Sequence, residues 1–288
     1  MRDFTICTDS ACDIPEDTLA EWGVDYCWLT YTFEGEAREY GNYELSYHDF
    51  YDRVRQGGVA RTSAVNADAF LRCFETSARE GKDILYIGFS TGLSATCDAA
   101  GIAAEELRRK YPDCDIRCVD TRAASAGFGL LLWMAVEKKR QGGTLSECEQ
   151  LVLDNRFRLC HWFTVEDLIY LKRGGRISAA TAFVGNILSF KPVLHMDDAG
   201  HLINMFKVRG RRASIEALAD KYGELALDRA GGTVYISHGD CEDDAKQLAD
   251  ILARRYGAKV DRIVSVGPVI GAHSGPGTLA LFFLGEHR

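Results

Sequence analysis

The sequence predicts an α/β protein. An N-terminal α/β sandwich built on a parallel sheet is followed by a C-terminal α+β domain with a mixed sheet. Three observations carry this. In the first half, short β-forming runs alternate with helix-length segments, the pattern of right-handed βαβ units. In the second half, the alternation gives way to a hairpin pattern at 191–210. The chain has 288 residues, 47% hydrophobic and 26% charged, enough for a sizeable core and more than one common domain length.

The elements follow in order. Residues 4–10 (FTICTDS) read as a strand. Residues 13–23 read as a helix, with Pro15 near its start, acids in the first turn and Gly23 as a stop. Residues 24–33 (VDYCWLTYTF) form one second strand, and 46–58 a helix. Asn66 caps the next helix. Residues 83–89 are a compact buried strand leading through STGLS into a long helix ending near Lys110. Strand 115–121 and a helix from about Ala123 repeat the unit.

From residue 160 the texture changes, which sets the expected domains at 1–159 and 160–288. Strand 160–165 precedes a short helix ending on Gly174 and Gly175, then an apolar helix over 179–189. The hairpin turns at Asp197–Gly200, and two further strands, 233–239 and 259–267, flank a helix. The stretch GPVIGAHSGPGTLALFFLG (267–285) reads as a rigid turn around His273, anchored in the core by Leu279–Leu284.

Composition excludes several classes. A net charge of −8, with the two signs interspersed, argues against broad nucleic-acid binding. The start Met-Arg-Asp-Phe-Thr lacks secretory-signal features, and 127–136 is too short to cross a bilayer of roughly 30 Å. A cytoplasmic location without stable membrane insertion is expected. Ten dispersed cysteines without a Cys-x-x-Cys pair read as small buried hydrophobes, so no metal site is expected. No Walker A loop, Gly-x-Gly-x-x-Gly, Gly-x-Ser-x-Gly or His-Glu-x-x-His is present, and neither a cofactor nor a catalytic residue is assigned. Cys160 and His161 are adjacent on a strand and face opposite ways, which excludes them as a dyad.

Four strand–helix junctions carry hydroxyls: 8–13, 62–66, 90–96 and 120–125. Each alone reads as a helix cap; together they suit an anion at helix starts. Cations come from the second half. Lys172, Arg173 and Arg176 surround a glycine pair that lets Arg176 be aimed at a fixed target. Lys207, Arg209, Arg211 and Arg212 form a basic run, either a solvated face or a docking patch for an anionic partner.

Seven blocks in order, TDSACDIP, TSAVN, FSTGLSAT, VDTRAASAG, FTVEDLIYLKRGGRIS, KPVLHMDDAGHL and GPVIGAHSGPGTLALFFLG, resemble the DegV family from residue 4 to 285. The resemblance implies a two-domain protein that binds one long-chain fatty acid. It further implies presentation of the carboxylate to a separate ATP-dependent fatty acid kinase, which makes acyl phosphate for phospholipid synthesis. No activity of the chain's own is implied. Carried over by position, Thr62 with its neighbour Ser63, Ser94, Arg176 and His273 form the carboxylate-binding set. Two departures touch the head-group loops: Ala64-Val65 replaces Gln-Pro, and Ala95 replaces a glycine. Residues 127–134 and 179–190 are candidate linings for the acyl chain. The competing reading is a stand-alone phosphotransferase or hydrolase for a small anion, using His273 and Ser94.

Overall fold

A helix that is apolar on every side belongs between layers rather than on a surface. Helix α5 (Ala126–Arg140) begins AGFGLLLWMAV and is buried almost continuously to Val136. The computed structural model describes residues 2–178 and 189–288, and in it α5 lies between two sheets. On one side is a parallel sheet of β1 (Phe4–Asp9), β2 (Val24–Cys27), β6 (Asp83–Gly88) and β7 (Ile116–Asp120), in the order β2-β1-β6-β7. Helix α6 (Leu145–Asn155) packs beside α5, and α3 (Ala67–Arg79) and α4 (Thr96–Lys110) pack together on this sheet. On the other side is a six-stranded mixed sheet in the order β10-β9-β8-β13-β11-β12.

The mixed sheet explains the apolar run near the C-terminal end. Strand β13 (Leu279–Leu284) lies between β8 (Leu159–Thr164) and β11 (Val234–His238), antiparallel to both. Ala280 and Phe282 face the core shared with α5. Leu279, Leu281 and Phe283 face a second core, covered by α8 (Arg211–Leu225) and α9 (Glu242–Tyr256). A strand buried on both faces needs no polar alternation. The predicted hairpin is β9 (Phe190–Met196) paired with β10 (Leu202–Arg209), and β12 (Val260–Ser265) closes the far edge. The mixed α/β architecture, with one parallel and one mixed sheet, is that expected from the sequence.

Two expectations are corrected. Residues 24–33 form two strands, because the chain leaves the parallel sheet after Cys27 and Leu29 N–H donates to Ser10 Oγ at 3.0 Å. The second piece, β3 (Thr30–Phe33), joins β4 (Tyr40–Gly41) and β5 (Ala60–Ser63) in a small antiparallel sheet. The segment around His273 is a short helix, α10 (Pro268–Ser274), rather than a turn; Pro268 suits its first position. The predicted helix over 179–189 falls on residues that, Ser189 apart, lie outside those described.

The N-terminal donors of α10 are met by side chains from the first half of the chain. Gly267 N–H donates to Asp13 Oδ1 at 3.0 Å, and Val269 N–H to Asn42 Oδ1 at 3.0 Å. Asn42 in turn donates to Ser10 O at 3.0 Å, and Tyr51 donates its hydroxyl to Val266 O at 2.9 Å. Asp13 also accepts from Ser125 Oγ, which lies 3.1 Å from Ser237 Oγ. All of these groups are buried.

Burial pushes the Asp13 carboxyl up to about 7, against the opposing pull of Ser125 and Gly267. The unfolded chain releases that proton near about pH 4. The raised value therefore makes a contribution to stability that is complete below about pH 4 and is lost as the pH rises to about 7. We predict that Asp13→Asn, which cannot ionise, narrows its stability deficit relative to wild type as pH rises through this window. Urea unfolding of both proteins at several pH values checks it; a deficit independent of pH contradicts the assignment.

Candidate functional site: a polar set between two hollows

Strand β5 carries Thr62 one residue before its end, and its register partner on β3 is Tyr31. Thr62 Oγ1 lies 2.8 Å from His273 Nε2, so β5 and α10 meet through this pair. The neighbouring loop, Ser90 to Ala95, leads into α4. Ser90 is buried and donates to Gly200 O at 2.9 Å, tying the loop to the hairpin turn of the second half. Ser94 Oγ accepts from Thr96 N–H at 3.2 Å and lies 2.9 Å from Thr96 Oγ1. Its hydroxyl thus satisfies the first backbone donor of α4, ahead of the N-cap Ala95.

The two glycines before Arg176 have different jobs. Gly175 has φ +71°, a left-handed conformation that glycine adopts without steric cost. Gly174 has an ordinary φ, but a Cβ there would lie 2.1 Å from His273 Nδ1. The first glycine admits the imidazole and the second turns the chain. After them Arg176 donates through Nε to Leu93 O at 3.2 Å and through Nη1 to Gly174 O. Among the described residues no carboxylate pairs with it. Burial lowers its pKa below the ordinary arginine value.

Burial, with Arg176 and Arg173 adding like charge, pushes His273 down to about 4, so its ring is neutral at pH 7. Its Nδ1 is buried without a hydrogen-bond partner among the described residues.

Thr62, Arg176 and His273 line two hollows at once. On one side is a mostly apolar cavity of about 270 Å³, walled by residues such as Leu29, Phe89, Phe163, Leu202, Val269 and Ile270. Ser94 stands at this side too. On the other is a polar hollow of about 280 Å³ with Glu34, Arg61 and Arg173 in its wall. Of the polar atoms on the cavity's lining residues, His161 Nδ1 and Ser274 Oγ are buried without a hydrogen-bond partner among the described residues, while others are engaged. Ser125 and Ser237 belong to the Asp13 network, and His161 Nε2 is 3.0 Å from Ala124 O. Burial holds His161 down to about 3.

Of the carboxylate set expected from the sequence, Thr62, Ser94, Arg176 and His273 come together. Ser63 does not join them: it is exposed and lines neither hollow, as alternation along β5 requires. In the basic run, Arg211 turns inward to Asp244 at 2.8 Å, whereas Lys207, Arg209 and Arg212 are exposed. Residues 127–134 are absent from the cavity wall and belong to the core between the sheets. The other candidate lining, 179–190, lies outside the described residues except for Ser189 and Phe190.

Sequence reasoning did not single out His161, Ser237 or Val266 as cavity wall. The alternation on β8 carried a signal for His161, since it places Cys160 in the outer core and His161 on the cavity side.

Two sheets clasping a shared helix, with an apolar cavity closed by a small polar set, define an α/β protein built around an internal hollow. A family model described as "Uncharacterised protein, DegV family" matches residues 3–286. A DegV domain-containing protein of Clostridium perfringens is 42% identical over 289 residues, covering 100% of this chain and 99% of that protein. One from Streptococcus pyogenes serotype M3 is 35% identical, covering 99% of each. The chain belongs to the DegV family.

Among solved structures, a Thermus thermophilus DegV family protein described for fatty acid binding matches with TM-score 0.88 and 29% identity, covering 99% of this chain and 100% of that one. A DegV lipid binding protein from Thermotoga maritima matches with TM-score 0.86 and 28% identity, covering 99% of each.

The close approach of Gly174 to His273 is testable without a ligand. We predict that Gly174→Ala displaces the imidazole from Thr62 into a wetter place. The His273 pKa, about 4 in wild type, should then move toward the ordinary value of about 6.5. An NMR titration of the ring protons measures it; an unchanged midpoint contradicts the geometry.

Proposed function

We propose that this protein binds one long-chain fatty acid and presents its carboxylate to a separate ATP-dependent kinase that forms acyl phosphate. Taken as two units, 1–159 and 160–288, the first supplies Thr62 and Ser94 and the second Arg176 and His273. The observation that carries the reading is the half-buried Arg176, whose partners among the described residues are backbone carbonyls and which borders an apolar cavity. A desolvated cation without a counter-charge is costly, and a ligand carboxylate beside it relieves that cost. The fatty-acid and lipid binding ascribed to the Thermus and Thermotoga proteins points the same way.

The physical division is simple. Each methylene moved from water into the cavity contributes about 0.8 kcal/mol, so the acyl chain supplies affinity. The hydroxyls of Thr62 and Ser94 and the guanidinium of Arg176 donate to the carboxylate. His273 can donate or accept according to its tautomer. The polar hollow on the far side, with Arg61 and Arg173, leaves the head group approachable by a phosphoryl donor, and cations there would stabilise the charge that develops. The chain itself is read as a carrier with no bound cofactor and no chemistry of its own, acting in the cytoplasm. No described helix is long and apolar enough to cross a membrane. Lys207, Arg209 and Arg212 on and after edge strand β10 form the proposed kinase-docking face, next to exposed Met205 and Phe206.

Denaturing extraction followed by mass spectrometry should release a stoichiometric fatty acid from purified protein. An empty protein that also refuses added oleate would overturn the proposal. Incubation with ATP and oleate alone should give no acyl phosphate, and turnover without a partner favours a stand-alone enzyme. Ser94→Ala should weaken retention of the acid. Arg176→Ala and His273→Ala should chiefly impair phosphorylation by an added kinase, and equal lipid loss in all three contradicts this division. Charge reversal at Lys207 and Arg209 should reduce kinase-dependent turnover while lipid content stays constant. Unchanged turnover leaves that face as plain solvated surface.

A further inference from the structure

Three thiols far apart in sequence meet on one face of the parallel sheet, away from the lipid cavity. Cys7 lies on β1 and Cys27 on β2. Asp9, two residues beyond Cys7, is the register partner of Cys27, so both side chains leave the same face. Helix α3 covers that face and brings Cys73. The three Sγ atoms all lie within 4.8 Å of one another, and Cys7 Sγ is 3.5 Å from Cys73 Sγ. None of the three is in a disulfide, and none lines the apolar cavity.

These separations match a coordination shell. Three sulfurs each about 2.3 Å from one ion are spaced about 4 Å apart. Cys7 and Cys27 are buried, while Cys73 is half-exposed and gives an ion a way in. No fourth Cys, His, Asp or Glu joins the group among the described residues. Structural zinc sites are almost always four-coordinate, so this set is incomplete for zinc. Thiolate-only ligation selects soft ions, Cu(I) foremost.

We propose that Cys7, Cys27 and Cys73 form a three-thiolate site for one soft monovalent metal ion of the Cu(I) type. Each sulfur that binds the ion gives its proton to solvent, and the metal keeps its oxidation state. The partial exposure of Cys73 keeps the negative charge of the cluster close to water. Sequence spacing hides the site, because its members sit on two strands and a helix rather than in a paired motif.

The test is an anaerobic titration of the reduced full-length protein with Cu(I), in competition with a chromophoric Cu(I) chelator. Wild type should take up one ion per chain and melt at a higher temperature when loaded. Loss of a supporting group outside the ligand shell typically costs 10–100-fold; loss of a ligand itself in Cys73→Ser should weaken binding by about 100-fold or more. Cys118→Ser, a half-exposed cysteine outside the cluster, should bind as wild type does. Cys73→Ala, with circular dichroism recorded for both variants, separates a lost ligand from a lost fold. Failure of wild type to compete with the chelator overturns the proposal, as does equal weakening by Cys118→Ser. Formation of a Cys7–Cys73 disulfide in air, with no Cu(I) uptake by the reduced protein, overturns it in favour of a redox pair.

Discussion

The buried carboxyl of Asp13 fixes where the two halves of the molecule meet. It accepts from the backbone of Gly267 and the hydroxyl of Ser125, and Asn42 repeats the arrangement two residues on at Val269. Helix α10 is only seven residues long and cannot hold its own orientation. Its N-terminal donors are met from outside, and an unmet buried donor costs about 1–3 kcal/mol. Those bonds decide where α10 points, and so whether His273 reaches Thr62. A site made of residues 62, 94, 176 and 273 thus depends on side chains at 13 and 42 that touch none of them.

The electrostatics of the site follow from burial more than from ion pairing. Most charged pairs in the protein are partly exposed, as with Arg53 and Glu36 or Arg55 and Asp240, and such pairs stabilise little. Arg176 is different, since it is drawn inward and its partners among the described residues are carbonyls. His273 beside it stays neutral because water is scarce and a like charge is near. The result is a cation, an uncharged ring and two hydroxyls bordering an apolar space.

Much of this was legible in the sequence where the signal was local. Pro15 and Gly23 bracket the first helix, α1 (Glu16–Trp22), as expected, Asn66 caps α3, and the Asp197–Gly200 turn joins β9 to β10. The family resemblance places Thr62, Ser94, Arg176 and His273 in one set. What could not be read was non-local. The split at Trp28 depends on Ser10 reaching Leu29, and the separate roles of Gly174 and Gly175 depend on where His273 lands. The apolar stretch 127–134 reads more readily as core than as cavity lining, but its hydrophobicity alone does not decide between them. Only its position between two sheets separates these, because hydrophobicity states that a residue is buried without stating against what.

The place of β13 in its sheet bears on how the protein is made. Strands β8 and β11 emerge from the ribosome before the strand that lies between them, and they stay unjoined until residue 284 has been synthesised. The N-terminal parallel sheet needs nothing beyond residue 120 for its four strands and can form during translation. For the remaining time the second half carries open strand edges, the kind of surface that pairs with other chains. His273 arrives only a few residues ahead of β13, so the same late event that seals the sheet also completes the polar set. An unfinished chain therefore cannot hold an assembled site.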